Sequence, residues 1–418
     1  MIRQIKRDLA NGSPRTLLAA FLYFDTSFML WVLLGALGNH IADDLGLSTT
    51  EKGLLTAIPI LSGAFLRLGL GALGDRIGGR RAGLIGMSLT MIPLIVGWRF
   101  AHDLPSLYAV GLLLGVAGAS FAVALPLASR WYPREHQGLI MGIAGAGNSG
   151  TVLAFLAAPR LAETLGWNAV LGLAILPLTL VFAAFFLLAQ DSPDRPPPLT
   201  VRDYAATLRQ RDSLWFCVFY SVTFGGFVGL GSYLAILLRD TYGLARVEAA
   251  DIAALGVFLG SFARPIGGLL ADRLGGIRLL LCVFALVATL MLALAQLPPL
   301  LVGAGLLLGC MLTLGLGNGA VFQLLPQRFG ARIGSMTGLV GASGGLGGFC
   351  FPLVLSALTG AAGSPAAGFL VFGLVAGFAL VLLAGLQRGW QASWLGAGGI
   401  AIREPYGRAQ RVTVSVEE

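Results

Sequence analysis

Residues Ile58–Arg81 read IPILSGAFLRLGLGALGDRIGGRR, an apolar, glycine-rich stretch with one arginine, Arg67, set in its middle. A charged turn, Asp75 and Arg76, closes the stretch eight residues after that arginine. In a helix rising 1.5 Å per residue, Arg67 sits roughly 12 Å from the turn, near the centre of a ~30 Å hydrocarbon slab. The design returns once over Gly260–Arg278, GSFARPIGGLLADRLGGIR, where Arg264, Asp272 and Arg273 each follow their counterparts by 197 residues. A guanidinium keeps its proton at any accessible pH and costs ~2.5–3.5 kcal/mol or more at the bilayer centre. Two of them at matching depth in two related halves call for a negative guest between the halves.

The rest of the chain reads as membrane protein. Of its 418 residues, 56% are hydrophobic and 11% charged, with a mean hydropathy of +0.82; a soluble domain carries about 25% charged residues. Apolar runs fall at Thr16–Leu37, Leu54–Leu73, Ala82–Phe100, Leu104–Ala128, Gly138–Leu161, Val170–Ala189, Leu214–Leu238, Ala249–Ala271, Leu279–Leu297, Pro299–Leu325, Gly334–Leu358 and Ala366–Leu386. Each is near the ~20 residues that a tilted helix needs. The expected fold is an all-α membrane protein with twelve transmembrane helices in two six-helix repeats.

One polar interruption divides the runs. Residues Asp191–Asp212, DSPDRPPPLTVRDYAATLRQRD, carry a proline run that cannot cross a membrane. They read as a linker (191–212) whose second part forms a short surface helix. An N-terminal half (1–190) precedes it; a C-terminal half (213–388) and a polar tail (389–418) follow. The basic start has no small-residue cleavage site and reads as a tail entering the first span, not a cleaved signal. Of the 28 Lys and Arg residues, 21 fall on the side of the N-terminus, five on the other side and two inside the membrane. That bias places both termini in the cytoplasm and explains the net charge of +8 without a nucleic-acid partner.

Cys217, Cys282, Cys310 and Cys350 lie in apolar runs without metal-ligand spacing and read as small buried hydrophobes. There is no nucleophile–base pair, nucleotide motif or metal cluster in the sequence, so neither an enzyme nor a cofactor is expected. The halves repeat beyond the arginines: Gly138, Gly142 and Gly145 recur as Gly334, Gly338 and Gly341, each 196 residues on. Halves related in this way place a substrate site at their interface near the midplane, reached alternately from either side. Repetition alone would also fit a channel.

Particular motifs narrow the choice. GALGDRIGGRR (Gly71–Arg81) and its copy GGLLADRLGGIR (Gly267–Arg278) resemble the signature of the major facilitator superfamily after the second and eighth helices. AGAGNSG (Ala144–Gly150) and GLVGASGGLGGFCFP (Gly338–Pro352) resemble the two glycine-rich signature stretches of the nitrate/nitrite porter family. FAVALPLASRWYPREHQG (Phe121–Gly138) and YSVTFGGFVG (Tyr220–Gly229) are similar to that family as well. The resemblance implies a secondary carrier of the inner membrane that moves nitrate, with nitrite close behind, by alternating access. It implies that Arg67 and Arg264 hold the anion, that Phe121, Tyr220 and Phe224 lie above and below it, and that Asn148 contacts it. An acid inside the first helix, Asp25, departs from the family's best-known exchangers.

Each residue also has a plainer reading. Guanidinium presents paired donors that match the edge of a planar oxyanion. A structural ion pair is the alternative, but only Asp25 is available, so at least one arginine lacks a protein partner. By spacing alone Phe121, Tyr220 and Phe224 read as core packing, and Asn148 as an interhelical hydrogen bond. Asp25, about ten residues into its helix, is expected to couple protons; pairing with an arginine or hydroxyl is the alternative. Gly145, Gly147, Gly341 and Gly344 are expected to let the halves slide, and Asp75–Arg76 and Asp272–Arg273 to lock the inner gate. Close packing and topological anchoring would need much the same residues. Pro265 bends the helix beside Arg264, and Asn318 and Gln323, polar at membrane depth, line the path.

A membrane potential negative inside opposes an entering anion by ~2.3 kcal/mol per 100 mV, so uptake needs a driving ion. Proton symport is the expected mode. Exchange against nitrite, a carrier of another small anion such as a carboxylate, and a nitrate sensor are the alternatives. The chain is expected to act as a monomer in the lipid bilayer, with nitrate or nitrite and protons as its partners.

Overall fold

The computed structural model describes residues 12–132, 140, 144–193, 200–329, 333–395 and 397–399. Among them ten helices are long and apolar enough to cross a membrane. With two further helices the bundle comprises α1 (Pro14–Trp31), α2 (Thr49–Ile77), α3 (Gly79–Arg99), α4 (Leu104–Ser129), α5 (Gly150–Leu165), α6 (Trp167–Leu188), α7 (Arg211–Tyr242), α8 (Arg246–Leu274), α9 (Gly276–Leu294), α10 (Leu300–Phe329), α11 (Ile333–Ala362) and α12 (Ala366–Ser393).

Two expected spans fall short of the ten. After α1 the backbone turns at Val32 and Leu37, and only short helices, Leu33–Ala36 and Gly38–Leu45, carry it onward. The fifth run is described in part, because residues 133–139 and 141–143, with Gly138 and Gly142 among them, lie outside the described residues. So do residues 1–11, 194–199 and 400–418, which take in the start, part of the linker and most of the tail. The described end of the linker forms a short helix, Val201–Leu208, started by a Thr200–Asp203 capping box. At the other end α12 runs past its expected stop at Leu386. Trp390 anchors the extra turns by stacking on Phe216 at 5.3 Å and donating to an Asp212 carboxylate oxygen at 2.9 Å.

The internal repeat is visible in the caps. Glu51 Oε2 accepts from the Ser48 amide at 2.8 Å to start α2, and Glu248 Oε2 accepts from the Ala245 amide at 3.3 Å to start α8. Both helices end on a glycine in the left-handed region, Gly78 at φ +95° and Gly275 at φ +97°. A side chain there would be strained, and a Cβ on Gly78 would fall 2.3 Å from Asp191 Oδ2. The charged turns after α2 and α8 therefore depend on glycine for their shape.

Burial sorts the helices into layers. In α7, 83% of the most apolar stretch is buried, and in α4 72%; in α6 and α12 the share is 28%. The outer helices carry exposed Leu180, Leu187, Leu374 and Val381, the surface that lipid covers. Of the cysteines only Cys310 is buried; Cys282 and Cys350 lie on this apolar exterior, because their helices turn that face outward. The two halves meet where α2 packs along α11 and α5 along α8. Small residues permit the approach: a Cβ on Gly345 would lie 2.6 Å from Ala64 Cβ, and one on Gly348 3.0 Å from Ile60 Cγ2.

The two ends of the bundle are bonded differently. At the end opposite the linker, ion pairs join the halves: Lys52 to Asp240 at 2.8 Å, Arg160 to Asp251 at 2.8 Å, and Asp43 to both Arg239, at 2.9 Å, and Arg246. Asn39 Nδ2 adds a bond to the Ala235 carbonyl at 3.1 Å. At the linker end the described pairs are Arg130–Asp75, inside the first half, and Arg328–Asp212, which joins α10 to the start of α7; neither links one half to the other. Among the described residues, ion pairs thus tie the halves together at one end only.

Asp43 tests that statement. Partial burial opposes its ionisation, but Arg239 and Arg246 more than offset this and hold its carboxyl below the usual carboxylate range. A depressed value means that the pairs contribute fully above the ordinary carboxylate pKa and fade only as pH falls through the lower one. Asp43→Asn is expected to shift the equilibrium toward opening of this end by roughly 0.4–2 kcal/mol, the worth of two exposed pairs. Faster labelling of a cysteine placed at Ser232 by an impermeant maleimide would register it.

Candidate anion site

Arg67 lies 3% exposed in the middle of α2. Its Nη1 donates to the Gly341 carbonyl of α11 at 2.7 Å and its Nη2 to the Gly118 carbonyl of α4 at 3.0 Å, while Nε is buried without a partner. Three rings surround the guanidinium, with centroids 5.3 Å (Phe121), 5.7 Å (Trp31) and 5.8 Å (Phe224) from Cζ. Such contacts stabilise a desolvated cation through the ring quadrupole but leave its charge uncompensated.

Arg264 approaches from α8, which continues through Pro265. It is half-buried, and its one described hydrogen bond is a long one, from Nη2 to the Tyr220 hydroxyl at 3.4 Å. Its Cζ lies 5.4 Å from the Phe224 centroid, so both guanidiniums flank the same ring. They are no more than about 11 Å apart, where two like charges repel by ~1.5 kcal/mol or more at an effective dielectric of ~20. Nothing negative in the described residues relieves that repulsion.

The aromatic floor comes from α7. Tyr220 and Phe224 stack at 5.0 Å with planes 4° apart, and the segment between and just past them, Ser221–Gly225, is a π turn. Such turns are rare and concentrate at functional sites. Gly344 of α11 makes the stack possible: a Cβ there would stand 2.6 Å from Tyr220 Cδ1 and 2.8 Å from Phe224 Cδ1. Phe322 of α10 closes the side, edge-on to Tyr220 at 5.3 Å and tilted toward Phe121 at 6.5 Å.

Two further sequence candidates lie nearby but outside this cluster. Asn148 Nδ2 donates to Ser261 Oγ at 2.7 Å, linking the halves one turn beyond Arg264. There it lines a cavity of about 20 Å³, room for a water molecule, together with Trp31, Phe155, Phe227 and Ser232. Asp25 is half-buried and accepts from Ser149 Oγ at 2.8 Å; among the described residues no ion pair reaches it. The hydroxyl pairing holds, and the arginine pairing does not.

The gating candidates separate by geometry. Gly341 sits between the halves beside Arg67 and Phe121, and Gly344 and Gly147 pack within their own halves, the latter against Phe24 and Asp25. Gly145 has open space beside it. Asp75 pairs with Arg130 at 2.7 Å, and Arg76, Asp272 and Arg273 are exposed. In this conformation none of the four charges bridges the halves in a described ion pair. Asn318 is fully buried with neither polar atom partnered, and Gln323 donates to the Gly399 carbonyl at 3.4 Å.

Comparison with known proteins fits this geometry. The Major Facilitator Superfamily description matches residues 19–332. A nitrite extrusion protein of Bacillus subtilis is 36% identical over 362 residues, covering 85% of this chain and 90% of that protein. The probable nitrate/nitrite transporter NarK2 of Mycobacterium tuberculosis is 35% identical over 83% of this chain and 89% of its own length. The chain belongs to the nitrate/nitrite porter family. A probable nitrate/nitrite antiporter, NarK1 of Thermus thermophilus, is 30% identical over 87% of the porter chain and 89% of its own. Among solved structures, a bacterial homolog of the human lysosomal transporter Spinster superposes with a TM-score of 0.68 at 18% identity, covering 90% of the porter and 97% of that chain. That likeness concerns the fold alone.

Trp31 and Phe322 were not among the site candidates, although both touch the cluster. The only sequence signal for Phe322 is its place four residues after Asn318, on the same helical face. The carbonyls of Gly118 and Gly341 leave no sequence signal at all. Gly344→Ala would force the Tyr220–Phe224 stack apart, an overpacking worth 1–3 kcal/mol, so anion affinity of the porter is expected to fall by roughly tenfold or more. Gly145→Ala, with open space to fill, is expected to bind normally. Titration calorimetry of both variants reads the difference.

Proposed function

We propose that this porter carries nitrate, and nitrite beside it, across the inner membrane by alternating access. The observation that carries the reading is the convergence of Arg67 and Arg264 on the Phe224 ring, with most Arg264 donors uncommitted. An anion between them would relieve the like-charge repulsion and accept paired hydrogen bonds in its own plane. Phe121, Tyr220, Phe224 and Phe322 surround the two guanidiniums with ring faces and edges, a setting that suits a small flat ion better than a bulkier carboxylate. The names of the relatives support the same substrate class.

The linker end is taken as cytoplasmic from the bias of its basic residues. On that orientation the ion pairs at the opposite end close the outer side, and this conformation is ready to exchange anion with the cytoplasm. Asp25 is assigned the coupling proton: its carboxyl is held by neutral hydrogen-bond donors in the described residues, so gain of a proton breaks no ion pair. Exchange against internal nitrite is the second reading, favoured by the name of the Thermus relative.

Uptake into proteoliposomes under an imposed pH gradient separates the two. With Asp25→Asn, gradient-driven nitrate accumulation is expected to disappear while nitrate–nitrite exchange persists; unchanged accumulation would remove Asp25 from coupling. Arg264→Lys keeps the charge but loses the planar fork, so nitrate affinity is expected to drop by roughly tenfold or more. Near-normal affinity in that variant would argue against direct coordination.

A further inference from the structure

A second basic site lies away from the interface between the halves. Where α2 ends and α3 begins against the end of α6, Ile77, Arg80, Arg81, Gln190 and Asp191 line a pocket of about 320 Å³. The volume is at the lower end of the range for small-molecule sites.

Its walls are fixed by hydrogen bonds. The Arg80 amide donates to Asp191 Oδ1 at 3.0 Å, and Arg80 Nη2 to the Phe186 carbonyl at 2.7 Å. Trp131 Nε1 donates to the Gln190 carbonyl at 2.9 Å, and the Gln190 amide to Thr16 Oγ1 at 3.2 Å. The Arg80 guanidinium lies over the Phe186 ring at 5.1 Å, yet its Nε is buried with no acceptor. A buried donor without a partner is uncommon, and it leaves this guanidinium with its positive charge largely uncompensated.

The lining carries two guanidiniums against one carboxylate, and that carboxylate already accepts from the α3 amide. An acceptor-rich anion fits this set better than a cation does. Beside the pocket the bundle exterior is apolar: Phe186 is 51% exposed and Leu187 75%. A guest seated here has its polar end among the arginines and an apolar surface running away along α6.

We propose that this pocket holds the phosphate headgroup of an anionic phospholipid, with an acyl chain lying along Phe186 and Leu187. Basic pockets between helices on the cytoplasmic side bind such headgroups, and the anionic lipids of that leaflet supply them. The site lies off the transport path, so its occupant is not the carried ion. Its role is to tie the ends of α2, α3 and α6 to the leaflet.

Native mass spectrometry of the full-length porter in detergent, with phosphatidylglycerol or phosphatidylcholine added, tests the proposal. Two arginines near the surface contribute about 1 kcal/mol each, so the anionic lipid is expected to bind roughly thirtyfold tighter. Arg80→Gln with Arg81→Gln is expected to bring phosphatidylglycerol down to the phosphatidylcholine level while nitrate binding is retained. Should the double variant misfold, because Arg80 also holds α6, the exposed Arg81→Gln alone is expected to lose part of the preference. Equal binding of the two lipids, or an undiminished preference in the variants, would overturn the proposal. Displacement of the lipid by glycerol 1-phosphate at similar concentration would also overturn it, assigning the pocket to a soluble phosphate.

Discussion

The Arg67 guanidinium, fixed by one carbonyl from its own half and one from the other, is the contact on which the rest of the bundle depends. Its charge has no carboxylate partner in the described residues, and only carbonyl dipoles and ring faces offset the desolvation. The helices that supply those groups are therefore constrained. α4 must open a carbonyl toward α2, and α11 must bring the Gly341 carbonyl to the same cation. A cation buried under these terms orders its surroundings and remains electrostatically unsatisfied.

Arg264 completes the arrangement without duplicating it. Arg67 has committed two of its donors to backbone and is sealed from solvent; Arg264 is half-buried and holds one long bond to Tyr220. The pair is symmetric in sequence position and asymmetric in environment. The donors left available beside the shared ring are therefore those of Arg264. The π turn in α7 and the bare flank of Gly344 let Tyr220 and Phe224 lie parallel, with Phe224 flanked by both charges.

Much of this was legible in the chain. The offset of 197 residues between the arginine helices carried through to matching glutamate caps and left-handed glycines, because capping and turn chemistry are local and travel with the sequence. The apolar runs became helices for the same reason, with ends a few residues longer where capping boxes and Trp390 extend them. Other features depended on partners far away in the chain. That Asn148 bonds Ser261, that Gly147 faces α1 and not the other half, and that Phe322 walls the cluster are consequences of tertiary packing. Composition did not distinguish Cys310 inside from Cys282 outside, since lipid and protein interior make nearly the same demand on a small apolar side chain.

The ion pairs that fasten one end of the bundle have a further consequence. All of them are at least partly solvated, and such pairs weaken as dissolved ions screen them over a Debye length of about 8 Å at physiological strength. In the proposed orientation they face the medium around the cell, whereas the arginine pair lies beyond the reach of that medium. Salinity outside the cell would then act as a thermodynamic handle on which way the empty protein rests, with fresh water favouring a shut exterior and brine loosening it.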